Sequence, residues 1–221
     1  MMLRRQVAWE ANRDKLTLMS IVRKRLTHTA SREKALEAAR DILIEAGPQA
    51  VTLKAVSARI DRTHANLLHH FGSAAGLQKA LAGYLTDAVC EKIAAKLDES
   101  EPGQRNIRDI VDLTFDAFGR DGAAALTNWM LMTGNEDALD PLVESIHELV
   151  DHMSPDAHEK RLLHEDTLAL VLMALGDAML GEPMAASLGL PRETSRVLAT
   201  ELVENRIAKF VAEHGHDMLT R

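Results

Sequence analysis

The stretch TLKAVSARIDRTHANLLHHFGSAAGLQKAL, residues 52–81, decides the fold because turn chemistry separates three helical segments in it. Thr52, Thr63 and Ser73 each stand where a hydroxyl can cap the first turn of a helix. Asp61 opens the turn between the first two segments, and Gly72 suits a helix end. Two short helices joined by three or four residues, the second one polar, are typical of a helix-turn-helix.

The apolar residues of these segments recur at helical spacing. Leu53, Val56 and Ile60 form one stripe, and the next segment, residues 64–70, is predicted to turn Leu67 and Leu68 inward. The polar side chains then left outside are His64, Asn66, His69 and His70.

A longer pattern surrounds this stretch. It comprises Arg32 at a helix start, Ala38-Ala39, Ile42-Leu43, Glu45-Ala46-Gly47, Thr52-Leu53, Val56, Phe71-x-Ser73 and Leu77. Over about residues 30–85 the chain therefore resembles the DNA-binding half of the tetracycline-repressor (TetR) family of bacterial transcriptional regulators. The resemblance implies an all-α fold, with an amino-terminal three-helix helix-turn-helix head on a larger helical ligand-binding and dimerisation body.

Three positions depart from the family pattern. Asp61 stands where the family has Gly in the turn, Leu68 where it often has Tyr, and Ala74 where it usually has Lys. The resemblance implies that the Tyr and the Lys contact DNA phosphate. Losing both contacts should weaken binding and flatten its dependence on salt.

The charge distribution agrees with a nucleic-acid face. Residues 1–81 hold 14 Lys and Arg against 7 Asp and Glu, whereas residues 82–221 hold 12 against 26, giving the net charge of −7. A basic first third on an acidic body suits one surface that attracts DNA and a remainder that DNA repels. Uneven charge without a partner is the alternative.

Within this frame the predicted domains are residues 1–30, a basic and flexible extension, residues 31–81, the head, and residues 82–221, the body. The extension is either an arm that reaches a neighbouring groove or a poorly ordered segment. Arg32, Thr52 and Lys54 are predicted to meet the DNA backbone, the last two beside a helix amino terminus.

The second short helix is predicted to read the bases. Thr63, His64, Ala65 and Asn66 should face base edges, since Asn can bond adenine bidentately and Ala allows close approach to a thymine methyl. His69 and His70, one turn later, should touch phosphate. Exposed or internally hydrogen-bonded histidines are the alternative.

The body is predicted to be helical over residues 74–97, 106–119, 121–134, 136–153, 158–180 and 191–214, with a loop at Ser100–Gln104. A pocket for a small apolar effector is predicted at Phe115, Phe118, Trp129, Met132 and His147, with plain core packing as the alternative. The predicted homodimer interface comprises Leu168, Leu172, Leu175, Met179, Val203, Ile207 and Phe210. A monomer with a buried central helix is the alternative.

No catalytic site, metal site or cofactor is predicted. His147-Glu148, His158-Glu159 and His164-Glu165 begin the HExxH zinc motif, but Asp151, Leu162 and Leu168 stand where its second His is required. The single cysteine, Cys90, excludes an internal disulfide, and no signal peptide or membrane span is evident, so a cytoplasmic protein is expected.

Two functions follow from these patterns. The first is a transcriptional regulator, a repressor released from a palindromic double-stranded DNA operator by a small apolar effector. The second is a dimeric helical ligand-binding or interaction protein whose head has lost DNA affinity, which Asp61, Leu68 and Ala74 favour.

Overall fold

The computed structural model describes residues 29–99, 106–135, 140–153 and 157–218, and this part of the chain is all-α. Helix α1 spans residues 29–46. The others are α2 (Leu53–Arg59), α3 (His64–Phe71), α4 (Ala74–Asp98), α5 (Ile107–Phe118), α6 (Ala123–Met132), α7 (Asp140–Met153), α8 (Ala157–Gly176), α9 (Glu182–Leu188) and α10 (Thr194–Met218). The predicted fold class is confirmed. Residues 1–28 of the predicted extension and the predicted loop Ser100–Gln104 lie outside the described residues.

The boundaries of the head helices follow the predicted caps. The hydroxyls of Thr52, Thr63 and Ser73 accept hydrogen bonds from the backbone N–H three residues later, at 3.1, 3.2 and 2.9 Å. Gly72 ends α3 with a φ of 73°. Each cap satisfies a helix-end group that would otherwise lack a partner, so these positions set where α2, α3 and α4 begin.

The core of the head is formed by side chains from the four helices α1, α2, α3 and α4, together with side chains from α6. Leu67 is fully buried and Phe71 nearly so, one turn apart on α3. Leu126 and Met130 of α6 belong to the same buried cluster. The prediction that Leu68 points inward was wrong, because the inner face of α3 follows the 67–71 spacing and leaves Leu68 45% exposed.

In the body, α4 packs against α5 and α7, and α5 packs against α8 and α10. Val111 and Phe115 of α5 form a second buried cluster with Ala174 of α8 and Ala199 of α10. Helix α4 therefore links the two parts, because Leu77, Leu81 and Leu85 lie in the head core and the same helix packs against α5 and α7 of the body.

A π-helical turn, Asp177–Gly181, joins α8 to α9 without a break in the helical backbone. Asp177 is buried, and Arg192 donates two hydrogen bonds to its carboxylate, at 2.6 and 2.7 Å, while Ser195 donates a third. Burial by itself would raise the pKa of Asp177, but these hydrogen bonds outweigh it and lower the pKa. A Cβ at Gly181 would lie 2.2 Å from an Asp177 oxygen, so the turn requires glycine there.

Candidate nucleic-acid interface and body cavity

The exposed face of α3 is narrow and polar at both ends. His64, Ala65, Leu68 and His69 are exposed, and their spacing of one, four and five residues places them on one side of the helix. Thr63, also exposed, precedes them as the cap. The major groove of B-DNA admits an α-helix, and the hydrogen-bonding side chains of His64 and His69 lie at the two ends of this face.

Asn66 and His70 lie on the flank of α3 and are half-buried. The Asn66 Oδ1 atom is buried, and no hydrogen bond reaches it from the described residues. Bidentate recognition of adenine needs both amide atoms of Asn, and this orientation does not present Oδ1. His70 lines an open groove between α1, α4 and α7 rather than the free face of α3.

Backbone contacts to DNA would come from the edges of this face. Thr52 and Lys54, at the amino terminus of α2, are exposed. Arg32 on α1 holds its guanidinium carbon 5.3 Å from the centre of the Phe71 ring, a cation–π contact that fixes this charge beside the end of α3. The Arg59 guanidinium is paired with Glu45 and holds the pKa of that carboxyl below its ordinary value.

The three departures from the family pattern lie on or beside the same surface. Asp61 is exposed and has a φ of 52°, the positive value at which glycine costs less than other residues. Leu68 and Ala74 are exposed as well. They leave an apolar side chain at the middle of the α3 face and no cationic side chain at the first position of α4.

The body contains an apolar cavity of about 150 Å³. Its wall comes from α4, α5, α7, α8 and α10, and includes Leu85, Ile93, Phe118, Ile146 and Val203. An engineered cavity of about this size, lined by Leu, Ile and Phe, binds benzene. The cavity can therefore hold a small apolar molecule.

Two ionisable side chains line the cavity. Burial raises the pKa of the Cys90 thiol to about 11, and the nearby carboxylates Asp87 and Glu148 add to the rise, so the thiol is protonated at neutral pH. Asp166 is 7% exposed and hydrogen-bonded by Arg206 of α10. Burial raises the pKa of Asp166, although Arg206 works against this effect.

A stripe of apolar side chains is exposed along α8. Leu168, Leu172 and Met179 are 61, 58 and 49% exposed, and their spacing keeps them on one face. Leu198 and Leu202 of α10 are exposed too. By length and composition the helical run Lys160–Leu188 is apolar enough to cross a membrane, and 17% of its most apolar window is buried. The core helix of a soluble protein meets the same criteria of length and composition.

Residues 35–81 match the family described as bacterial regulatory proteins, tetR family. This match contains the three capped helix starts and the exposed face of α3. The head is a TetR-family domain. The predicted resemblance is confirmed. A comparison with curated proteins finds no match.

Solved TetR-family structures share the fold well beyond the TetR head. A TetR-family transcriptional regulator from Pectobacterium atrosepticum is 20% identical, with a TM-score of 0.59 over 81% of this chain and 93% of its own. A TetR-family transcriptional regulator from Streptomyces coelicolor is 18% identical, with a TM-score of 0.56 over 82% of this chain and 98% of its own. The multidrug binding protein EbrR, complexed with ethidium, is 17% identical, with a TM-score of 0.52 over 77 and 96%.

Behind the TetR head, the structure brings only one of the predicted pocket residues to the cavity. Phe118 lines it. Phe115 lies on the neighbouring side of α5, buried beneath the Arg196 guanidinium, whose central carbon is 5.4 Å from the ring centre. Met132 is 78% exposed, Trp129 is half-buried on α6, and His147 is exposed with its ring centre 5.5 Å from that of His164. Residue type alone did not reveal which face of each helix meets the cavity.

The predicted interface residues divide into three groups. Leu168, Leu172 and Met179 are exposed and share a face, whereas Leu175 and Phe210 are half-buried. Val203 and Ile207 line the cavity instead of the outer surface, because the apolar residues of α10 occupy two faces and these two lie on the inner one. In the described part of the chain, no group of three or more His, Cys, Asp or Glu side chains could hold a metal ion.

Proposed function

We propose that the protein is a DNA-binding transcriptional regulator, a repressor that binds a palindromic operator as a homodimer and is released by a small apolar effector. Residues 31–81 bind DNA, and residues 82–221 bind the effector and pair the subunits. The observation that carries the proposal is the exposed face of α3 within a TetR-family domain. A protein that binds an operator acts in the cytoplasm, and the proposal includes no catalytic step and no cofactor.

The contacts to DNA divide into two kinds. Thr63, His64 and Ala65 face base edges at the start of α3, and His69 contacts phosphate one turn later. Arg32, Thr52 and Lys54 hold the duplex from either side of this helix. Asn66 and His70, which are half-buried, support these contacts from the flank.

Pairing of two subunits through α8 and α10 would cover the exposed stripe Leu168, Leu172 and Met179. Stable monomers rarely expose a contiguous apolar patch of several large side chains, because water disfavours it. A two-fold pair also supplies the two reading helices that a palindromic operator requires.

Effector binding would act on the head through α4. Leu77 and Leu81 of this helix are buried in the head core, and Leu85 and Ile93 line the cavity about one and three turns after Leu81. A molecule that fits the cavity better in one orientation of α4 shifts the population towards that orientation. A coupling of about 1–3 kcal/mol is the usual size for such a switch.

The DNA proposal can be tested by fluorescence anisotropy on a labelled duplex from the region upstream of the gene, at 50 and 200 mM salt. We expect saturable, sequence-selective binding that weakens with salt. The double variant His64→Ala/His69→Ala should lose most of the sequence preference. The matched control, His147→Ala/His164→Ala, removes two exposed histidines from the body and should bind as the wild type does. Equal behaviour of the two double variants would refute the assignment.

Pairing can be tested by sedimentation equilibrium. Leu172→Glu places a charge in the middle of the exposed stripe on α8 and should yield monomers at micromolar concentration. Leu131→Glu is the control. It makes the same change at a leucine of α6 that is 44% exposed and lies outside the stripe, and this variant should remain dimeric. Dimers in both variants would place the interface elsewhere.

The second candidate, a dimeric ligand-binding or interaction protein with a weakened head, is favoured by Asp61, Leu68 and Ala74 on the DNA-facing side. It predicts the same dimer and the same cavity. It differs in the anisotropy experiment, where binding would be weak, independent of sequence and unchanged by the His64→Ala/His69→Ala substitutions.

A further inference from the structure

The cavity wall carries one carboxylate, that of Asp166 on α8, in surroundings that are otherwise apolar or hydroxyl-bearing. Among the described lining residues no arginine, lysine or histidine occurs. The other ionisable group, the Cys90 thiol, is neutral because the pKa is raised to about 11. A molecule in the cavity therefore faces one acidic group and no basic one.

We propose that the effector is a small aromatic or similarly compact apolar molecule that carries an amine, and that Asp166 binds its ammonium group. The inference rests on the proposed role of the cavity as the effector site. The Asp166 carboxylate accepts a hydrogen bond from Arg206, and a carboxylate in this pairing offers further acceptor sites, so the complementary ligand group is a donor and a charged donor gives the stronger bond. Burial of an ammonium is unfavourable unless a counter-charge meets it, and Asp166 supplies this charge.

The ion pair between Asp166 and Arg206 allows a ligand ammonium to replace Arg206 as the partner of Asp166. Within the described residues, hydrogen bonds to Asp166 reach Oδ1 only, from Nε of Arg206. The same guanidinium donates through Nη2 to Glu165 at 2.7 Å. If a ligand ammonium takes over Asp166, Arg206 keeps Glu165, so its partly exposed guanidinium retains a counter-charge.

The position of this pair connects ligand charge to subunit pairing. Asp166 and Glu165 are on α8, and Arg206 is on α10, the two helices assigned to the dimer interface. A ligand that binds Asp166 loosens one of the two ion pairs by which Arg206 joins these helices. A neutral ligand of the same shape fills the cavity but leaves the pair intact.

The test compares ring compounds of one size and different charge, because a cavity of about 150 Å³ suits a single ring. Benzylamine, benzyl alcohol and benzoate are titrated into the full chain at pH 7 and followed by ligand-observed NMR, with toluene as the uncharged reference. We expect benzylamine to bind the wild type about tenfold or more tightly than benzyl alcohol, and benzoate to bind more weakly than either.

Two variants, each lacking one negative charge, show whether the preference for the amine comes from the cavity carboxylate or from the overall negative charge of the protein. Asp166→Asn should bring the affinity for benzylamine down to that for benzyl alcohol while leaving benzyl alcohol unchanged. Glu165→Gln removes the exposed carboxylate that shares Arg206 and should keep the preference for the amine. Equal loss of preference in both variants, or no preference in the wild type, would overturn the inference.

A third variant covers the case in which Asp166→Asn does not fold. Arg206→Gln removes the competing guanidinium and should tighten benzylamine binding relative to benzyl alcohol, whereas a purely structural pair predicts no change in this ratio. If toluene and benzyl alcohol also fail to bind the wild type, the cavity is not an effector site. The effector part of the proposed function then fails together with the inference. Binding of the neutral probes without an amine preference refutes the inference alone.

Discussion

The substitution Ala74→Lys should strengthen DNA binding and make it more sensitive to salt. Ala74 is exposed at the first position of α4, directly after the Ser73 cap and close to the end of α3. This is the position at which the TetR-family pattern carries a lysine that contacts phosphate. The restored lysine should therefore form one additional phosphate contact in each head.

The size of the effect follows from counterion release. Each phosphate contact adds about 0.9 to the slope of log affinity against log salt, so a dimer with two new contacts gains about 1.8. Between 50 and 200 mM salt, the variant should then lose about 12-fold more affinity than the wild type. A cation in the first turn of a helix opposes the helix dipole and costs about 0.3–1 kcal/mol of stability, which urea denaturation would show.

The assay is fluorescence anisotropy on one duplex at four or more salt concentrations, because the slope does not require knowledge of the operator. Ala95→Lys is the matched control, since it makes the same change at an exposed alanine of the same helix, about 30 Å further along. We expect the control to leave the slope unchanged. An equal slope for wild type and Ala74→Lys would mean that the start of α4 does not approach the phosphates, and the placement of α3 in the groove would then be wrong.

Three further predictions concern the cores and the buried ionisable groups. Leu67→Ala should lower the free energy of unfolding by about 2–5 kcal/mol in urea, whereas Leu68→Ala, at an exposed neighbour, should change it by less than about 0.5 kcal/mol. Cys90, whose pKa is about 11 in the folded chain, should react with a disulfide reagent at pH 8 about a hundredfold or more slowly than in the urea-unfolded chain, and equal rates would contradict its burial. Asp177→Asn should cost about 1–3 kcal/mol at pH 7, because Arg192 loses a charged partner. The lowered pKa of Asp177 stabilises the fold above the unfolded pKa of about 4, so the difference between wild type and variant should shrink as the pH falls below 4 and not as it rises.

The boundaries of the head helices could be predicted because local chemistry sets them. Thr52, Thr63 and Ser73 need nothing beyond the next three residues to act as caps, and the structure shows all three bonds. Asp61 also takes the left-handed backbone that its place in the turn requires. Helix caps and turns that depend only on a few neighbouring residues are kept when the chain adopts its tertiary structure.

The face that each helix turns towards the core could be predicted less accurately than the helix boundaries. Leu68 and Asn66 were assigned by residue type, but the packing of Leu67 and Phe71 fixes the inner face of α3 and turns Leu68 outward. Val203 and Ile207 show the same limit, because α10 carries apolar residues on two faces and only the arrangement of its neighbours decides which face lines the cavity.

Helix α9 was missed because Gly181 and Pro183 together indicate a helix end. The backbone instead continues through the π-helical turn, which Arg192 and Ser195 stabilise through the buried carboxylate of Asp177. These partners lie 15 and 18 residues away in the sequence. The π-helical turn could therefore not be predicted from the residues next to it in the sequence.

The placement of Leu126 and Met130 in the core of the head restricts how reading heads can be exchanged between related regulators. A chimera that transplants only residues 29–81 would set a foreign core against these two side chains and create either a void or a clash. Successful recombination should therefore carry the inward face of α6 along with the donor's head, although some forty residues of sequence separate the two.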